Sequence, residues 1–120
     1  MGLTHAPARA ASRPSLDRTL AALADRERRL AVDLLREAPR RAGELAAELG
    51  LPPSAMSRHL KVLRASGLVE VEENHPEFDA RVRIYRLRPA PMAELKAWLE
   101  ETERGWAQQL AAFKAHVEGP

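Results

Sequence analysis

Between Ala42 and Ser66 an apolar helical pattern is interrupted once, at Gly50-Leu51-Pro52-Pro53, and this interruption constrains the fold more than any other stretch. Leu45 and Leu49, with the alanines between them, mark a short helix before it. Gly50 suits the left-handed conformation in which helices commonly end, and Leu51-Pro52 makes a turn. Pro53 suits the first position of the next helix, because the N–H it lacks would find no partner there. That second helix runs to about Ser66, and Gly67 ends it. The stretch therefore spells helix, tight turn, helix.

The remaining chain frames this unit. Residues 1 to 13 mix Ala, Pro, Arg, Thr and Ser without apolar period, so a disordered tail is expected ahead of one domain over 14–118. Leu16, Leu20 and Leu23 predict a helix over 15–24. Asp25 offers the N-cap of another over 26–37, whose apolar face is Leu30, Leu34 and Leu35, and Pro39 stops it. After Gly67, VEVEE (69–73) and RVRIYRL (81–87) are strand patterns, joined by NHPEFDA, which is too long for a two-residue hairpin turn. Glu70 and Glu72 should face arginines of the second strand. Pro89 and Pro91 close the hairpin, and a last helix is expected over 92–117, about 40 Å long. Its stripe of Leu95, Leu99, Trp106, Leu110, Phe113 and Val117 runs far past any core so small a chain can build, so it needs a partner. The fold class is mainly α with a two-stranded β element, in the order α-α-α-α-β-β-α.

Composition narrows the function. There is no cysteine, which excludes disulfides, thiolate metal sites and thiol switches. No apolar run reaches the roughly 20 residues that span a bilayer, and the first residues lack the apolar stretch of a secretory signal, so no membrane partner and a cytoplasmic location are expected. The net charge of +2 argues weakly for nucleic acid by itself, although the positive charge is concentrated in the first two thirds.

On a helical wheel of 53–66, Met56, Leu60 and Leu63 share one side, while Ser54, Arg58 and Lys61 lie opposite, flanked by Ser57 and Ala55. Such a face can enter a major groove, where Arg pairs with guanine, Ser bonds either edge of a base and Lys neutralises phosphate. The same wheel also describes an ordinary amphipathic surface helix. Arg40 and Arg41, just before the third helix, could hold a phosphate together with its free N–H groups, or stand as two solvated arginines.

The string RAGELAAELGLPPSAMSRHLKVLRASGLVE resembles the DNA-reading core of the ArsR/SmtB family of bacterial repressors. Its helix-turn-helix ends in a run represented here by Ser57, Arg58, His59, Leu60, Leu63, Gly67, Leu68 and Val69. The likeness extends from residue 16 to about 118. It implies a winged helix-turn-helix, with the hairpin as wing and the first and last helices forming a homodimer. By position, Ser54, Ala55, Ser57 and Arg58 become base-edge candidates, and Lys61, Arg81 and Arg83 phosphate candidates. His59, at the edge of the packed face, reads as structural or phosphate-bonding ahead of base-reading. Leu16, Leu20, Leu95, Trp98, Leu99, Trp106, Leu110 and Phe113 become the dimer set, with an effector pocket the second reading of the two tryptophans. Gly105 would permit a close helix approach or a bend. The chain departs from the family pattern at Pro52-Pro53, where members often carry a capping Ser or Thr. The acidic strand VEVEE would also repel phosphate, so the Arg-bearing strand should face DNA.

Founding members of that family sense metals through cysteines on the third helix or Asp/His/Glu sets on the last. Here the third helix has no thiol, and the last offers only His116 and Glu118 near one another. His75 with Glu73, Glu77 and Asp79 is a weak alternative, and His5 lies in the tail, so no metal or other cofactor is expected. No nucleophile, phosphate loop or triad spacing suggests an enzyme. The expectation is a homodimeric repressor on double-stranded DNA with an inverted-repeat operator. The competing readings are a protein-docking winged helix and a repressor with a metal or small-molecule effector.

Overall fold

The computed structural model describes residues 13–73 and 82–119. Helices α1 (Pro14–Leu23), α2 (Arg26–Glu37), α3 (Ala42–Leu49) and α4 (Pro53–Ala65) are followed by strands β1 (Val69–Glu72) and β2 (Ile84–Leu87), and then by α5 (Pro89–Glu118). The order is the expected one. The tail before Arg13, most of the hairpin connection and Arg81 lie outside the described residues.

The turn between α3 and α4 is built as its residues require. Gly50 ends α3 at φ 65°, and the Leu51 N–H reaches back 2.9 Å to the Ala46 carbonyl. The end of α4 repeats this device: Gly67 sits at φ 84°, and the Leu68 N–H bonds the Leu63 carbonyl at 3.1 Å. Each closure gives a partner to carbonyls that a helix end leaves open. Asp25 caps α2 by accepting the Arg28 N–H at 3.0 Å. At the start of α4, Pro52 supplies a carbonyl to Met56 N–H at 3.1 Å but no side-chain cap. The Ser54 and Ala55 N–H groups therefore stay outside the helix's own ladder.

Leu35 of α2, Leu45 of α3, Met56, Leu60 and Leu63 of α4, and Leu68 before β1 form one buried cluster, closed by Val69 and Tyr85 of the sheet. Burying each such Leu or Met side chain stabilises by about 1.5–3 kcal/mol. This cluster fixes α4 by its inner face and leaves the opposite face outside.

The strands pair antiparallel, with Val69 opposite Leu87, Glu70 opposite Arg86, Val71 opposite Tyr85 and Glu72 opposite Ile84. Arg86 bridges Glu70 at 3.1 Å and Glu72 at 3.0 Å, as the alternating charges foretell. On its other edge β2 pairs with Arg40, whose N–H and carbonyl exchange bonds of 3.0 and 2.8 Å with Tyr85. The loop between α2 and α3 is thus fastened to the base of the wing.

Helix α5 starts at Pro89, three residues before the expected Met92, since proline costs nothing in a first turn where N–H groups have no intrahelical acceptor. It is about 45 Å long. Helix α1 packs along it, and an Arg13–Glu101 pair at 3.5 Å joins them.

Candidate nucleic-acid interface

Met56, Leu60 and Leu63 anchor α4, and this orientation leaves Ser54, Ser57, Arg58 and Lys61 exposed and Ala55 half-buried. Ser57, Arg58, Lys61, Arg64 and Ala65 line one wall of a cleft of about 540 Å³, whose other wall is Arg83 and Tyr85 beside and within β2. Four cationic side chains line that cleft and no acidic one does. Arg58, Lys61 and Arg64 form no ion pair among the described residues, whereas Arg83 meets Glu73 at 3.5 Å. Like charges gathered without counter-charge repel one another and attract a polyanion.

Arg64 is the addition that sequence reasoning missed. Its spacing carried the signal, because Ser57, Lys61 and Arg64 follow the i, i+4, i+7 rule of one helical face.

His59 turns inward. Its Nε2 lies 2.9 Å from Glu27 Oε1 and its Nδ1 3.9 Å from Asp25 Oδ1, and its side chain is only 15% exposed. The ring therefore ties α4 to the start of α2. Asp25, Glu27 and His59 bring one donor atom each within 4.8 Å of one another, a convergence the sequence did not suggest because 32 residues separate Glu27 from His59. The Arg28 backbone N–H holds the Asp25 carboxyl below its usual pKa, with further help from the Arg28 guanidinium and from His59.

Arg40 and Arg41 are engaged within the protein. Arg40 donates to the Leu34 carbonyl at 3.3 Å and to Glu37 at 2.9 Å. Arg41 pairs with Glu44 at 2.9 Å, and that bond holds the Glu44 carboxyl below its ordinary pKa. The acidic strand β1 is neutralised in place by Arg86 and by Arg88, which stands 3.8 Å from Glu70.

The dimer candidates divide. Leu16 is 4% exposed within its own protomer, whereas Leu20 is open at the surface. On α5, Leu95 and Trp98 are half-buried, while Leu99, Trp106, Leu110, Phe113 and Val117 are exposed, Phe113 by 67%. No described helix is long and apolar enough to cross a membrane.

A helix-turn-helix with a two-stranded wing and a cationic cleft between them defines a winged helix-turn-helix protein. Comparison with known proteins specifies the class further. Residues 25–71 match the arsR family of bacterial regulatory proteins. The HTH-type transcriptional regulator Rv2034 of Mycobacterium tuberculosis is 37% identical over 99 residues, covering 82% of this chain and 85% of that protein. The solved structure of an ArsR-like transcriptional regulator from Rhodococcus sp. RHA1 is 31% identical, with a TM-score of 0.72 over 88% of this chain and 95% of the other. The solution structure of the homodimeric winged helix-turn-helix DNA-binding domain of Mb0332 from Mycobacterium bovis is 26% identical, with a TM-score of 0.57 over 75% and 79% of the two chains. The chain belongs to the ArsR family, whose members are transcriptional regulators and not enzymes.

Proposed function

We propose that the chain acts in the cytoplasm as a homodimeric repressor that binds an inverted-repeat operator in double-stranded DNA. The observation that carries this reading is the cleft between α4 and β2, with four cationic side chains and no acidic one. Ser54, Ala55, Ser57 and Arg58 on the outer face of α4 address base edges, and Lys61, Arg64 and Arg83 the phosphates. The uncapped Ser54 and Ala55 N–H groups add donors for a phosphate at the helix start. His59 acts as a strut to Glu27. Arg40 and Arg41 can join the phosphate set only by exchanging Glu37 and Glu44.

The exposed stripe of α5 supplies the dimer surface, in keeping with the homodimeric Mb0332 domain. Two recognition helices about 34 Å apart then meet successive major grooves on one face of the duplex. The test is an electrophoretic mobility titration of the protein against the DNA upstream of its own gene at two salt concentrations. Binding that weakens steeply with added salt, with a symmetric footprint, is expected. Absence of binding at low salt overturns the reading and favours a winged helix that docks proteins.

A further inference from the structure

On the side of α2 away from α4 lies a cavity of about 690 Å³, bounded by the corner between α1 and α2, the end of β2 and the first turn of α5. Its walls are apolar: Leu23, Leu30, Val32, Leu87, Pro89 and Met92. Its rim is strongly basic, with Arg26, Arg29, Arg36 and Arg88 against the single carboxylate of Asp33. None of the residues assigned above to DNA or to the dimer lines it.

Three of the four guanidiniums, those of Arg26, Arg29 and Arg36, are not consumed by the fold. Arg26 forms no ion pair among the described residues. Among the described residues Arg29 bonds only neutral carbonyls, those of Leu23 at 2.8 Å and Ala24 at 3.1 Å, and its charge meets no carboxylate there. Arg36 reaches Asp33 at 3.9 Å with both side chains mostly exposed, and such a pair is weak in water. Arg88 bonds the Gly67 carbonyl at 3.3 Å and stands 3.8 Å from Glu70. An apolar hollow of a size that holds small molecules, about 300–1,000 Å³, thus opens beneath a ring of cations.

We propose that this cavity is a binding site for a small amphipathic carboxylate, an apolar chain or ring that ends in one anionic group. The apolar body takes the walls, and the carboxylate accepts bonds from the rim guanidiniums, whose forked donors match its two oxygens. A neutral apolar ligand would leave the cations facing it unsatisfied, and a hydrophilic anion would leave the walls wet. A molecule seated there touches α2, β2 and α5 at once, which are the elements that hold the helix-turn-helix, the wing and the dimer surface.

The test is isothermal titration calorimetry of the full chain, in the absence of DNA, with dodecanoate below its micellar concentration. Dodecyltrimethylammonium and acetate serve as comparison ligands. Saturable binding of one dodecanoate per protomer is expected, with the cationic analogue and acetate each at least tenfold weaker. Arg26→Glu combined with Arg36→Glu should weaken dodecanoate at least tenfold with unchanged thermal unfolding, since both side chains are exposed. Equal binding of the two dodecyl compounds overturns the proposal, as does binding that ignores the arginine changes. Absence of saturable heat also overturns it. Because no DNA enters the measurement, this site and the operator reading can fail independently.

Discussion

Arg58 and Lys61 line the same cleft, yet they do different work on the operator reading, and that difference is measurable. Arg58→Ala is expected to weaken binding to the operator by about 1–3 kcal/mol and to relax base preference. Lys61→Ala should weaken operator and random duplex alike and lower the salt slope by about one. Fluorescence anisotropy on both duplexes separates the two, and equal losses for Arg58→Ala would remove it from base reading. Part of the acid sensitivity is set elsewhere, at Asp25. Its folded-state pKa lies below the unfolded value, so its charge stabilises the fold above about pH 4, and that stabilisation is lost as the pH falls through the folded value. Asp25→Asn should therefore flatten the drop in melting temperature between about pH 5 and pH 3. At this scale the sequence was legible wherever exposure follows one helix face. Ser54, Arg58 and Lys61 could be placed from periodicity alone, whereas the Glu27–His59 contact and the hollow behind α2 join residues far apart in the chain, whose meeting depends on how helices pack.

The turn between α3 and α4 is the element on which the whole site depends, and its signals are local and chemical. Gly50 occupies a left-handed conformation, and a Cβ placed on it would meet nothing within 4 Å. Gly50→Ala should accordingly cost only the backbone term, about 1–2 kcal/mol, read as a lower urea midpoint with an unchanged slope. A larger loss would mean that the turn itself had rearranged. Helix order, the paired prolines at the start of α4 and the Glu70–Arg86 pairing were all legible because each rests on neighbours or on strand alternation. The attachment of Arg40 to Tyr85 was not, since it is made by backbone groups and carries no side-chain signature.

At the scale of the molecule, a 30-residue helix leaves most of its apolar stripe outside the protomer. Phe113→Glu is expected to shift the protein to monomer in sedimentation velocity and to weaken operator binding, while thermal unfolding of the helix-turn-helix persists. Gly105 adds a finer probe: apart from its chain neighbours and the local backbone of its own helix, no atom of the described residues lies within 4 Å of a Cβ built there. Gly105→Ala should stabilise the isolated helix by about 0.5–1 kcal/mol, and weaker dimerisation despite that gain would locate a close helix crossing at this residue.

The strap between Arg40 and Tyr85 bears on how copies of the chain can meet. A strand edge with open backbone groups invites a neighbour's strand to add to it, which is a common beginning of aggregation. Here Arg40 occupies that edge of β2 at Tyr85, and the opposite strand β1 carries Glu70 and Glu72. Self-recognition through the sheet is thereby discouraged on both sides, which leaves the helical surface for association; on the homodimer reading, contact there closes at two copies instead of growing into a fibre.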